Sequence, residues 1–151
     1  MTARLLRISA IIFLLFTVGH WFFAPWVIGA RGPELEALTA TAQTVHPVFG
    51  FSRSYWDFHV GFGHMAGVFL LMEVALLWLL AGDAARPGGA SSTRRLLGVL
   101  VVADVAITAL QVAYFFWPPI VLSVVGTAIL AVSWLRLAPS SQPLSTRPAL
   151  D

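Results

Sequence analysis

Two carboxyls stand where their neighbours are hydrocarbon. Glu73 lies in Leu70-Leu71-Met72-Glu73-Val74-Ala75-Leu76-Leu77, and Asp104 in Val101-Val102-Ala103-Asp104-Val105-Ala106. An ionisable side chain inside a run of membrane-spanning length is costly and marks a functional site by default. Counting at about 1.5 Å per residue puts the two acids at similar depth, each eight or nine residues from the cytoplasmic end of its helix. Two carboxyls at one level in a low dielectric do not both ionise readily, so the pair would hold a proton between them. A protonated carboxyl beside a second acid or a histidine can serve as general acid and base for a lipophilic substrate, or as a proton relay. Glu73 and Asp104 are therefore the expected catalytic pair. The plainer alternative is that each hydrogen-bonds a neighbouring helix for packing alone.

A second polar layer lies toward the opposite end. His20, His64 and Gln111 fall roughly six to nine residues from that boundary, with Trp56, Asp57, His59 and Tyr114 nearer the lip. These seven are the expected ligand-binding residues. At about 100° per residue Asp57 and His64 share a helix face, as do Asp104, Thr108 and Gln111. His59 and Glu73 share the other face of their helix, so one pocket does not easily use all four groups. Opposed imidazoles at one depth, His20 and His64, would suit a b-type haem, although hydrogen-bonding or lip histidines account for them more readily. A metal site from His20, His59 and His64 lacks an i, i+4 pair, so no metal is expected. His46, before a proline, reads as a loop residue.

The elements that must position these groups are helices. Hydrophobic residues make up 58% of the 151 positions, charged residues 11%, and mean hydropathy is +0.84, against roughly 25% charged residues in a soluble domain. Cysteine is absent, which excludes disulfides, thiolate nucleophiles, iron-sulfur ligation and dithiol redox pairs. The nine basic residues, all arginine, are scattered at helix ends and form no stripe suited to a phosphate backbone, so nucleic acid is not an expected partner. Apolar runs predict helices over about 5–28, 57–81, 96–116 and 120–137, an outer loop over 29–56 with a short surface helix after Pro33, and a Pro/Ser-rich disordered tail over 139–151. Residues 1–138 then form one all-α domain, an integral membrane up-down four-helix bundle. The first run follows Arg4 and Arg7 but is too long for a signal peptide, and reads as a retained helix. Arg86, Arg94, Arg95, Arg136 and Arg147 place both termini and the second loop in the cytoplasm by the positive-inside rule.

The segment from Phe51 to Gly63 is the most informative. Ser54 is a plausible N-cap with Asp57 three residues on, as in a capping box, and Arg53 is placed to pair with Asp57. Gly61, Gly63 and Gly67 permit close approach by another helix or by a bound molecule. With the Gly19-His20 end of helix one and the aromatic-Pro-Pro turn over 116–119, this motif resembles a group of small bacterial four-helix membrane proteins. The likeness implies a fold and a multi-pass place in the bacterial inner membrane. A more distant resemblance is to the EXPERA domain of the emopamil-binding sterol isomerases and the sigma-2 receptor, which implies an intramembrane pocket for amphiphilic amines or sterols, with Glu73 the nearest match to its helix-two acid and Asp104 the candidate for its second.

The expected function is binding of a lipophilic small molecule or lipid in the membrane. Isomerisation, hydration or cyclisation of an isoprenoid-like substrate by Glu73 and Asp104 would follow, with aromatic rings steadying a carbocation. The alternative is a non-enzymatic partner subunit or small transporter component whose polar layers knit helices together, and the third reading is the haem-bearing electron carrier. A second copy of the chain could complete the site, since four helices enclose little volume.

Overall fold

A computed structural model describes residues 1–23 and 31–137. The expected last turns of helix one, with Trp26, and the tail over 139–151 lie outside the described residues. Four helices are long and apolar enough to cross a membrane: α1 (Thr2–Phe22), α3 (Tyr55–Asp83), α4 (Ala90–Tyr114) and α5 (Trp117–Arg136). At 20 to 29 residues each, they measure at least about 30 Å, the thickness of a bilayer's hydrocarbon. A fifth helix, α2 (Pro33–Ala42), is the short surface helix expected after Arg31-Gly32-Pro33; Pro33 sits in its first turn with Glu34 and Glu36, where proline and acids are favoured.

Four expectations need correction. Two three-residue strands, β1 (His46–Val48) and β2 (Phe51–Arg53), pair antiparallel where an irregular entry loop was expected, so the chain is mostly but not wholly helical. Their two-residue turn, Phe49 at φ 48° and Gly50 at φ 85°, has the doubly positive φ of a type I′ hairpin. Helix α4 begins at Ala90 and not near 96, because Asp83 accepts hydrogen bonds from Ser92 Oγ at 3.2 Å and Thr93 Oγ1 at 2.9 Å and so draws that polar stretch into the first turn. Helix α5 begins at Trp117, so Pro118 and Pro119 lie inside its first turn and do not form the connection, which falls to Phe115 and Phe116. Arg53 donates to the Ser52 carbonyl and lies over the Phe51 ring, not against Asp57 as its main contact.

The expected cap is present. Ser54 Oγ accepts from the Asp57 backbone N–H at 3.1 Å, and the Asp57 carboxylate accepts from the Ser54 N–H at 2.8 Å. This fixes where α3 starts and so the register of every polar residue along it.

Helix α1 packs against α3 and α5, α5 against α4, while α3 touches α4 only lightly. Burying apolar side chains among lipid tails excludes no water, so association in a membrane rests on close packing and hydrogen bonds between helices. Here aromatic rings are seated on glycines. The Trp21 indole lies directly on Gly67, a Cβ on Gly126 would come within 2.8 Å of the Phe13 ring, and one on Gly98 within 3.0 Å of Trp134 Nε1. Ser9 Oγ donates to the Gly126 carbonyl at 3.1 Å beside the second of these seats. Leu6, Leu77, Ala81, Leu97 and Leu130, all fully buried, form one apolar core toward the Asp83 end. At that end Arg7 lies over Trp78 and Arg94 over Trp134, 5.7 and 4.9 Å from the rings.

Candidate functional site

Glu73 and Asp104 come together where α3 meets α4. Their carboxyls stand beside one another. Glu73 is 9% exposed and Asp104 4%. Glu73 Oε1 and Asp104 Oδ2 are buried and meet no further protein partner. The pair lies at one level because each acid is ten or eleven residues from the Asp83–Thr93 contact that joins the same two helices.

One helical turn along the α4 stripe, Thr108 Oγ1 lies 3.3 Å from Thr127 Oγ1 of α5. One turn further is Gln111, 7% exposed, and the register set by Thr108–Thr127 brings it level with Ser123, 2% exposed. Gln111 Oε1 and Ser123 Oγ are likewise buried without a protein partner. The stripe read from the sequence is thus real, and it faces the interior.

Beyond it, α1, α3 and the start of α5 enclose a cavity of about 760 Å³. Phe16, Phe23, Phe62, Phe115 and Phe116 supply much of its wall, with Gly19, Gly63 and Ala66 leaving room and Pro118, Pro119 and Leu122 closing its base. Its titratable side chains are His20 and His59. His20 Nε2 lies 2.7 Å from the Gly63 carbonyl; a carbonyl only accepts, so Nε2 carries the hydrogen and donates. That bond ties the end of α1 to α3 beside the cavity. The Trp56 ring leans on the His59 imidazole at 5.5 Å and 41°, so Trp56 steadies a wall residue from behind.

The other expected site residues fall elsewhere. His64 and Asp57 are exposed on the opposite face of α3, as the helix wheel required, and Asp57 is occupied with its cap. Tyr114 is 80% exposed. Among the described residues no group of three or more acidic or histidine side chains could hold a metal ion. The structure therefore divides the expected single pocket in two: an apolar cavity with imidazoles, and an acid pair deeper in the bundle, with Gln111, Ser123 and the two threonines between them. The cavity's apolar residues, Phe16, Phe23, Ala66 and Leu122 among them, were not anticipated. The small-residue series Gly63, Ala66, Gly67 was the signal available, since it thins α3 on that side.

No known protein family, curated protein or solved structure matches this chain.

Proposed function

We propose that this chain, a bacterial inner-membrane bundle of up-down topology with both termini cytoplasmic, binds a lipophilic small molecule in the cavity between α1, α3 and α5. The cavity carries the reading. Its volume, about 760 Å³, falls within the roughly 300–1,000 Å³ usual for small-molecule sites, and such sites pair apolar walls with a few polar groups that fix orientation. The five phenylalanines suit an unsaturated, isoprenoid-like hydrocarbon, and His20 and His59 would take a hydroxyl or amine at its head. Arg4 and Arg7 at one end of α1 and Arg86, Arg94 and Arg95 around the start of α4 favour the cytoplasm for that end, which leaves the cavity facing outward.

Acid-base turnover of such a ligand, by isomerisation, hydration or cyclisation, is the catalytic extension of the same proposal, with Glu73 and Asp104 as proton source and sink. It agrees with the resemblance to the EXPERA domain. The inter-helix bonds Thr108–Thr127 and Ser9–Gly126 favour a second reading, in which the polar residues knit the bundle of a non-enzymatic subunit.

Photoaffinity labelling of the purified chain with a diazirine-bearing isoprenoid alcohol tests the binding site. Labelled peptides should map to residues of the cavity wall, and Ala66→Trp should abolish labelling without lowering the melting temperature. Labelling spread along the lipid-facing residues, or unchanged in Ala66→Trp, would refute it. Glu73→Gln then separates the two readings, because it removes turnover in the first and alters only stability or assembly in the second.

A further inference from the structure

The buried oxygens between the acid pair and the cavity have an order that the lipophile site alone does not explain. Phe115, Pro119 and Leu122 form the cavity's base, and Gln111 and Ser123 stand next to them on α4 and α5. Thr108 and Thr127 follow one turn deeper, then Asp104 and its partner Glu73. Successive members of the α4 stripe are three or four residues apart, so steps of about 5–6 Å separate them, a span that one or two water molecules bridge. Gln111 Oε1, Ser123 Oγ, Asp104 Oδ2 and Glu73 Oε1 are all buried and meet no protein partner. A buried polar atom left unpaired costs on the order of 1–3 kcal/mol, and polar sites of this kind hold ordered water.

In the other direction the unpartnered buried oxygens stop, since the buried Ser133 donates to the Ile129 carbonyl of its own helix. Leu77 is one turn beyond Glu73, and with Leu6, Ala81, Leu97 and Leu130 it forms a fully buried apolar layer between the acid pair and the Asp83–Thr93 contact. Helix α1 carries no titratable side chain between Arg7 and His20, and α5 none before Arg136. On α3 the nearest titratable groups are His64 and Asp83, and on α4 Arg94 and Arg95. None of these lies within two turns of the acid pair.

We infer that Ser123, Gln111 and the Thr108–Thr127 pair line a file of water through which a proton on the Glu73–Asp104 pair exchanges with the cavity, and with the cavity alone. The path runs outward to the imidazoles of His20 and His59, while the leucine layer blocks the cytoplasmic side. The inference uses the cavity's position and not its ligand, so it stands or falls separately from lipophile binding.

Infrared spectroscopy of the full chain on transfer to D₂O tests it. A protonated carboxyl gives a C=O stretch above the carboxylate bands, and replacing O–H by O–D shifts it downward. Wild type should show such a band that is lost in the Glu73→Gln/Asp104→Asn double variant, and its deuterium shift should slow at least tenfold in Gln111→Leu/Ser123→Ala and in Ala66→Trp. Ala81→Ser, in the blocked half, should leave the rate unchanged. If Gln111→Leu/Ser123→Ala does not fold, Thr108→Val interrupts the same file and should slow exchange by itself. A missing carboxylic band, an exchange rate indifferent to the cavity-side variants, or acceleration by Ala81→Ser would overturn the inference.

Discussion

The two halves of this bundle, divided at the Glu73–Asp104 level, are built to opposite ends. Toward Asp83 the core is built of fully buried leucines, with the Trp134 ring close against Gly98, whereas toward Phe23 and Phe115 the helices stand apart around a cavity. Both halves are apolar, so hydrophobicity does not distinguish them. What differs is whether side chains from facing helices meet. The full half holds the fold, and the open half has room for a second molecule.

The comparison is sharpest at glycines. A methyl on Gly126 would press into the Phe13 ring beside the Ser9 hydrogen bond, while one on Gly61 meets nothing within 4 Å. Gly126→Ala should therefore destabilise by roughly 3 kcal/mol, the upper part of the overpacking range. Gly61→Ala should be neutral or stabilise by up to about 1 kcal/mol, since alanine is the better helix former. Thermal unfolding in detergent reads both, and equal effects would mean that the Phe13 ring is not seated on Gly126.

Deletion of side chains gives a smaller contrast. Leu130→Ala, in the full half, should cost roughly 2 kcal/mol, near the low end of the soluble-protein range because lipid already removes the transfer component of that cost. Phe62→Ala, on the cavity wall and 65% exposed, should cost less than about 0.5 kcal/mol while weakening lipophile binding. A large loss of stability in Phe62→Ala would mean that the cavity is part of the core.

Much of the deep arrangement was legible in the sequence. Depth counting brought Glu73 and Asp104 together because rise per residue is constant in a helix, and the helix wheel correctly set His59 with Glu73 and apart from Asp57 and His64. The cap at Ser54 followed from residue type and spacing. The cavity was not legible, because an apolar lining has the same composition as an apolar core and no periodicity tells them apart. That ambiguity also merged the acids and histidines into one expected pocket, which the structure divides at Gln111 and Ser123. The start of α4 was missed because Ser91-Ser92-Thr93-Arg94-Arg95 reads as loop by polarity, and only its bonds to Asp83, distant by nine or ten residues, make it helical.

A further expected effect concerns the β1–β2 hairpin, which was overlooked because phenylalanine is rare in the first position of a two-residue turn. Phe49 has φ 48° and is 99% exposed, so its ring contributes no packing to offset a left-handed backbone. Phe49→Asn should stabilise the hairpin by up to about 1 kcal/mol, seen as slower amide exchange at Val48 and Phe51, with lipophile binding unchanged. Lost binding would bring the hairpin into the site and extend the open half beyond the helices.

The division into an open and a closed half is tested most directly by thiol labelling, since the chain has no cysteine of its own. Ala66→Cys places a single thiol on the cavity wall, and Ala81→Cys places one in the leucine core at similar cost in volume. A small water-soluble thiosulfonate should modify the first within minutes, an added isoprenoid alcohol should protect it, and the second should react only on unfolding. Comparable labelling of the two folded proteins, or a first thiol that the alcohol fails to protect, would contradict the account.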